Sequence, residues 1–266
     1  MKRLSFDFPG PLPPHEAYKT VVIVGSSPQA PSLSDKLCDS TIVVAVNNAW
    51  RAVPRYDFLV YSDDFPDHNK PDTATIQRKG RSSPQYIPAM DAEGGLDLCG
   101  ATMAFAAGYW AIHAFPRSQV SFYACDMTYT GMNTHFYGHG APDPLRKDPS
   151  LQDLAAKSLR MFYHGLLRGC LLLNASCLEV TNLCLPRDRT GEVIRRNILP
   201  AYLDAGLGSV ISMAADLSSA AIDEERGISG GVDVWQRFKQ IDMHWRTLEP
   251  CLAEVERIIA VSLSIP

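Results

Sequence analysis

Three short apolar runs, each ending in glycine or polar residues, constrain the fold of this chain most strongly. They are TVVIVG at residues 20–25, TIVVAVN at 41–47 and DFLVYSDD at 57–64. The apolar residues are consecutive rather than alternating, which is typical of strands that are buried on both faces of a parallel sheet. Because parallel strands that follow right-handed crossovers all end at the same edge, we expect their polar tips to lie close together.

Further segments continue this alternation of strands and helices. The residue patterns predict strands at 85–88, 119–125 and 178–185, and a small-residue helix at 100–115 that packs on the sheet. They also predict a helix that Ser150 caps, with Asp153 in the capping-box position. This order predicts an α/β fold of Rossmann type, a mainly parallel sheet with helices on both faces.

The length and patterning favour one large domain with an appendage. We assign residues 1–190 to a Rossmann-like nucleotide-binding domain and 191–266 to a helical extension or lid of the same domain. Pro250 interrupts the strongest helical segment of the second region, residues 232–260. That region is also a candidate surface for a homo-oligomer.

Composition restricts the partners that a chain of 266 residues with a net charge of -4 can bind. We expect no nucleic-acid partner, because no dense run of Lys or Arg could form a basic face. The seven cysteines form no CxxC pair and are interpreted as reduced, buried thiols of a reducing compartment. The first residues contain no apolar stretch of signal-peptide length, so the predicted location is cytoplasmic, with peripheral membrane contact left open.

The strand tips carry a series of short motifs. They occur in the order Gly25-Ser26-Ser27-Pro28, Asn47, Tyr61-Ser62, Cys99-Gly100, Ala124-Cys125-Asp126 and His135-Phe136-Tyr137-Gly138-His139. No GxGxxG fingerprint and no Walker lysine motif occurs, so the common dinucleotide and P-loop interpretations lack support. The series resembles the bacterial sialyltransferases of glycosyltransferase family 42 and, more distantly, the DUF115 proteins. The HxxGH loop is the most specific element of this resemblance.

The resemblance implies inverting transfer of a sugar from a CMP-activated donor to a glycan or lipid-linked acceptor, without an essential metal. His139, the second histidine of the loop, inherits the role of general base, for which a neutral imidazole is suited. Tyr129 and Tyr137 correspond to tyrosines that bind the leaving phosphate, and Ser26 and Asn47 to contacts with cytidine or its phosphates. The remaining expected nucleotide-binding residues are Gly25, Ser27, Ser62, Gly100 and Asp126.

The chain also departs from this family, and two alternatives follow. An Arg that precedes the small-residue helix in the transferases is missing here, where Gly95-Leu96-Asp97-Leu98 precedes Cys99. One alternative is a pyrophosphokinase of the DUF115 type, in which Asp63 and Asp64 hold Mg²⁺ against a triphosphate. The other is a nucleotide-binding protein without catalytic activity. In purely structural interpretations, His139 caps or braces the glycine-rich loop, His135 orients its neighbour, and Asp126 forms a turn or cap.

Overall fold

A parallel sheet of six strands forms the centre of the molecule. The computed structural model describes residues 18–129, 133–139, 147–188, 190–205, 207–226 and 233–264. The strands are β1 (Thr20–Val24), β2 (Ile42–Val46), β3 (Phe58–Val60), β4 (Gly80–Arg81), β5 (Gln119–Tyr123) and β6 (Leu171–Asn174). Their order across the sheet is β4-β3-β2-β1-β5-β6, and every neighbouring pair is parallel. The α/β Rossmann-like fold expected from the sequence is therefore confirmed.

Helices surround this sheet. Those that precede β6 are α1 (Thr73–Lys79), α2 (Ser83–Asp91), α3 (Leu96–Cys99), α4 (Met103–Ala114) and α5 (Leu154–Leu167). Those that follow it are α6 (Glu192–Arg195), α7 (Leu199–Ala205), α8 (Leu207–Arg226), α9 (Val234–Trp245) and α10 (Glu249–Ser264). Short 3₁₀ helices occupy Ala30–Lys36, Asn47–Arg51, Asp67–Asn69, Pro149–Leu151 and Arg246–Leu248.

The core lies between the central strands and α4. Residues 21–24, 43–46 and 119–123 are buried along β1, β2 and β5, as the consecutive apolar runs predict. In α4 every residue from Phe105 to Ile112 is buried, and the helix contacts β1, β2, β3 and β5. Its small side chains allow this close approach to the sheet, which confirms the predicted packing role.

Two predicted strands and one predicted helix cap are wrong. Residues 85–88 lie in α2, whose N-cap Ser82 forms a capping box with Gln85. The last strand is β6, and residues 178–185 are irregular, with the carbonyl of Leu183 accepting a hydrogen bond from the Asn174 side chain. Asp153, not Ser150, caps α5, because its carboxylate accepts the N–H of Ala156 at 3.0 Å.

The position of Pro250 agrees with the local structure. Pro250 lies in the first turn of α10, where the missing N–H breaks no helical hydrogen bond, and Arg246–Leu248 separates α9 from α10.

All seven cysteines are free thiols; four are buried and Cys177 is exposed, contrary to the expectation that all are buried. Within the described parts of the chain, no helix combines the length and apolar character needed to cross a membrane.

Candidate functional site

A cavity of about 710 Å³ opens at the carboxyl ends of β1, β2, β3 and β5. In the sheet, β1 and β5 are neighbours, but the strand order continues from β1 to β2 in one direction and from β5 to β6 in the other. Ligands of open α/β sheets bind at such a switch point. Most of the site residues predicted from the sequence line this cavity: Gly25, Ser26, Ser27, Asn47, Ser62, Asp63, Asp64, Tyr129 and Tyr137. The predicted convergence of the polar strand tips is therefore present in the structure.

The turn after β1 lies directly against the end of β5. The N–H of Gly25 donates to the carbonyl of Tyr123 at 2.9 Å, and the N–H of Ser27 donates to the carbonyl of Ala124 at 3.1 Å. A Cβ atom at Gly25 would overlap the Ala124 carbonyl oxygen. Glycine is required here because the two backbones approach too closely for any side chain.

The ends of β2 and β3 are joined by an asparagine side chain. The Oδ1 atom of Asn47 accepts the N–H of Ser62 at 3.2 Å, so this oxygen is already used within the protein. The next residue, Asn48, also lines the cavity, and its Oδ1 atom is buried without a protein partner in the described structure. The Oγ atom of Ser27 is likewise buried and has no hydrogen-bond partner in the described structure. Buried polar atoms are rarely left unsatisfied, and these two atoms lie within the cavity wall, closed to solvent.

Strained backbone is concentrated around this cavity. Positive φ angles occur at Asn47 (48°), Ala124 (57°) and Met127 (51°), and all three residues line the cavity. Non-glycine residues in the left-handed region cost free energy and often occur at functional sites. The strand tips of β2 and β5 are therefore held in geometries that the local sequence alone does not favour.

The histidine loop closes one side of the cavity. His135 and Gly138 exchange two backbone hydrogen bonds of 3.0 Å, and the N–H of Phe136 donates to the carbonyl of Ser26 at 3.0 Å. His135 and Tyr137 line the cavity as a result. His139 follows this turn, is exposed and is not among the cavity-lining residues. The structure thus brings the first histidine of the motif to the strand tips rather than the second.

His135 has the environment of a functional imidazole. Its Nδ1 atom lies 2.8 Å from the hydroxyl of Thr134, and its ring stacks on Tyr137 with centroids 4.9 Å apart. Tyr129 packs on the same ring at 5.9 Å. Burial lowers the pKa of His135 below its usual value, which keeps the ring neutral near pH 7. In the tautomer that donates Nδ1–H to Thr134, Nε2 is the unprotonated atom.

Two other predicted nucleotide-binding residues lie behind the cavity wall. The Asp126 side chain is buried and accepts hydrogen bonds from Gln29 Nε2 at 2.7 Å and from the hydroxyl of Ser176. It therefore ties the turn after β1 to the segment after β6 instead of lining the cavity. Gly100 has φ 88°, and a Cβ there would lie 2.8 Å from the Phe105 ring. Both residues support the site from outside the cavity.

The charge of the cavity is negative. Among the residues that the structure describes, Asp63 and Asp64 line it, and no Lys or Arg does. Residues 101–104, at the amino-terminal end of α4, also line it, and a helix N-terminus favours anionic groups. The described residues contain no cluster of three or more His, Cys, Asp and Glu side chains with metal-site geometry.

Sequence reasoning did not choose His135, Asn48 or the amino-terminal turn of α4 as site residues. The signals were present: Gly138 predicts a tight turn that repositions its neighbours, and a second amide follows Asn47 directly. Thr102 is an ordinary N-cap residue, whose hydroxyl accepts the Phe105 N–H at 3.3 Å. The direction in which each side chain points could be obtained only from the folded chain.

Fold and site together define a parallel α/β protein with a polar cavity at its topological switch point, a class that includes many nucleotide-binding proteins. No family model matches the chain, and searches of curated proteins and of solved structures return no significant match.

Proposed function

We propose that this chain is a nucleotide-dependent transferase of the sialyltransferase-like type, which moves a sugar from a CMP-activated donor to an acceptor hydroxyl of a glycan or lipid-linked substrate. The observation that carries the proposal is the convergence of Ser26, Ser27 and Ser62 with His135 and Tyr137 around one cavity. A transferase needs short polar groups for the nucleotide and a neutral base for the acceptor, and these residues supply both.

His135 is the proposed general base, in place of His139. The acceptor oxygen attacks the anomeric carbon while the bond between that carbon and the CMP phosphate breaks. The hydroxyl proton passes to Nε2 of His135, and CMP leaves as the phosphate monoester. The lowered pKa of His135 favours the neutral ring that this step requires.

The phosphate needs a binding group other than Lys or Arg. Met103 and Ala104, in the first turn of α4, border the cavity, and N–H groups of a first helical turn that no backbone carbonyl accepts stabilise anions. This position accounts for phosphate binding without the arginine that precedes the corresponding helix in the sialyltransferases.

Ligand-dependent melting tests the proposal. CMP in about hundredfold excess over its Kd would stabilise the folded chain by about 2.7 kcal/mol, without added metal. His135→Ala removes the proposed base and should lower kcat by about 100-fold or more, while the strand-tip serines and the first turn of α4 still bind CMP. His139→Ala is the matched control and should retain activity. An unchanged melting temperature with millimolar CMP and CMP-sugars contradicts the proposal.

A second candidate function is metal-dependent pyrophosphoryl transfer. The specific observation in its favour is that Asp63 and Asp64 line the cavity while no described Lys or Arg does. Mg²⁺ is commonly held by one or two carboxylates together with substrate phosphates, so two aspartates suffice for such a site.

The two functions differ in their response to chelation. The second candidate requires that EDTA abolishes binding of a nucleoside triphosphate and that the double substitution Asp63→Asn, Asp64→Asn does the same. The first requires that CMP binding survives both treatments. Nucleotide binding without turnover of either donor class supports a non-catalytic binding protein instead.

A further inference from the structure

Tyr137 is an aromatic residue that the fold leaves exposed at the cavity. It lines the cavity and is 39% exposed, whereas the aromatic residues Phe65 and Tyr86, which line the same cavity, are buried. Ligand cavities commonly present aromatic side chains to the molecules that they bind. The exposed surface of Tyr137 is therefore available to a ligand without any rearrangement of the core.

Two ring contacts and the backbone of the histidine loop fix the position of Tyr137. Its ring stacks on His135 with centroids 4.9 Å apart and planes at 25°, and it meets the Phe136 ring at 5.0 Å and 87°. The loop itself is held by the backbone hydrogen bonds between His135 and Gly138 and by the bond from Phe136 to Ser26. A side chain that is already ordered loses little conformational entropy when a ligand packs on it.

The contact with His135 indicates which substrate Tyr137 meets. A general base must lie within hydrogen-bond reach of the group that it deprotonates, which in the proposed reaction is the acceptor hydroxyl. A molecule packed on Tyr137 lies beside the His135 ring, because the two rings are stacked. The CMP phosphate is assigned to the first turn of α4, at Met103 and Ala104. Tyr137 therefore belongs to the end of the cavity that the acceptor occupies.

The chemistry of the Tyr137 ring indicates the class of acceptor. The ring of a pyranose carries C–H bonds on its faces and hydroxyls at its edge. An aromatic ring attracts such a C–H face by dispersion, while the hydroxyls stay free for hydrogen bonds and for reaction. A neutral sugar also meets no charge repulsion from Asp63 and Asp64, which line the same cavity.

We propose that Tyr137 forms the acceptor subsite, where a neutral pyranose stacks on its ring and so holds the reacting hydroxyl at His135. The inference rests on the proposed transferase function and adds the residue that binds its acceptor. It assigns the ring of Tyr137 to the acceptor, in place of the contact between its hydroxyl and the leaving phosphate that the family resemblance implies. The ring and the hydroxyl can be removed separately, so the two roles can be distinguished.

The experiment measures transfer from CMP-sialic acid to the methyl pyranosides of galactose, glucose and N-acetylglucosamine. With the best of these acceptors, Tyr137→Leu should raise the acceptor KM about tenfold and lower kcat by less than about threefold, because stacking is lost while an apolar side chain still packs on His135. Tyr137→Phe keeps the ring and should retain both constants. Trp235→Leu is the matched control, because Trp235 is an aromatic residue of α9 that is 44% exposed and does not line the cavity.

Calorimetry with CMP separates this role from the alternatives. Tyr137→Leu should bind CMP as tightly as wild type; weaker binding would assign the ring to the nucleotide. A large loss of kcat in Tyr137→Phe would assign the hydroxyl to the leaving phosphate. Either result, or an unchanged acceptor KM in Tyr137→Leu, overturns the inference while the proposed function stands. Wild type that binds CMP but transfers to none of the pyranosides overturns it as well. Failure of wild type both to bind CMP and to consume CMP-sialic acid counts against the proposed function itself.

Discussion

Single residues at the strand tips determine how closely the walls of the cavity approach each other. Gly25 lacks a side chain, and this absence allows β1 and β5 to meet through the hydrogen bonds of Gly25 and Ser27. Asn47, Ala124 and Met127 hold left-handed backbone around the same opening. The shape of the site therefore depends on backbone geometry as much as on polar side chains.

Gly25→Ala tests this dependence directly. The added methyl group would overlap the Ala124 carbonyl, so we expect a loss of about 1–3 kcal/mol in the free energy of unfolding and weaker CMP binding. Gly208→Ala is the matched control, because Gly208 lies in α8 with open space around it and alanine favours helix. Denaturant unfolding of both variants measures the difference. Equal stability of Gly25→Ala and wild type would show that the strand tips can separate.

The histidine motif shows what residue patterns can and cannot predict about the site. Spacing and glycine content select the HxxGH loop as functional, but they do not distinguish His135 from His139. The distinction comes from a turn in which Gly138 has φ 103° and Phe136 bonds to Ser26, more than one hundred residues earlier. Such long-range contacts leave no local signal in the sequence.

At the scale of elements, the central strands were predictable because apolar β-branched runs have few other stable environments. The elements predicted wrongly lie where local patterns compete. Residues 178–185 have strand-like composition, yet Leu178 and Val180 are exposed and Asn182 bonds through its side chain to the carbonyl of Met127. The shorter apolar run of β6 occupies the sheet because it is buried beside β5.

Buried ion pairs attach the C-terminal helices to α5. Lys157 of α5 lies 2.9 Å from Asp242 of α9, and Arg160 of α5 lies 2.7 Å from Glu225 of α8. Burial raises the pKa of Asp242 to about 6, although Lys157 opposes this shift. The cost of desolvating the carboxylate therefore exceeds the gain from its partner.

A double-mutant cycle on the first pair tests that balance. Lys157→Met or Asp242→Leu alone should cost about 3–5 kcal/mol at pH 7.5, because each leaves a buried charge unpaired. The double variant should cost less than either single change, since the remaining space is filled by apolar groups. Additive losses in urea unfolding would mean that the pair does not act as a unit.

At the scale of the whole molecule, α2, α4, α5, α8 and α9 meet around one buried charge cluster. The Glu93 carboxylate lies 2.8 Å from His113 and 2.6 Å from Arg168. The Arg160 guanidinium donates hydrogen bonds to the backbone carbonyl of Glu93 and to the carboxylate of Glu225. Burial alone would raise the pKa of Glu93, but hydrogen bonds from His113, His164 and Arg168 lower it well below its usual range. Sequence patterns predicted α4, α5 and the region of α9 as helical but assigned part of α2 to a strand, and pairings across sixty or more residues could not be read from them.

His164 makes this cluster sensitive to acid. It lies 2.5 Å from Glu93 and is packed among the rings of Tyr109, Tyr163 and Trp245. Burial lowers its pKa, nearby Arg160 adds to the effect, and Glu93 and Glu225 oppose it. The unfolded chain therefore takes up a proton at this histidine near pH 6.5, whereas the native state does so only at lower pH. Stability from this group is present above pH 6.5 and is lost as the pH falls below it.

His164→Gln removes this titration and keeps a polar side chain beside Glu93. We expect the free energy of unfolding of wild type to fall more steeply than that of the variant between pH 6.5 and 5.5, by up to about 1.4 kcal/mol per pH unit. Between pH 7.5 and 8.5 the difference between the two proteins should stay constant, because His164 is then neutral in both the folded and unfolded chains. Denaturant titrations at these four pH values measure it. Parallel profiles from pH 5.5 to 8.5 would show that His164 takes up its proton equally in both states, and acid sensitivity would then have to arise elsewhere in the molecule.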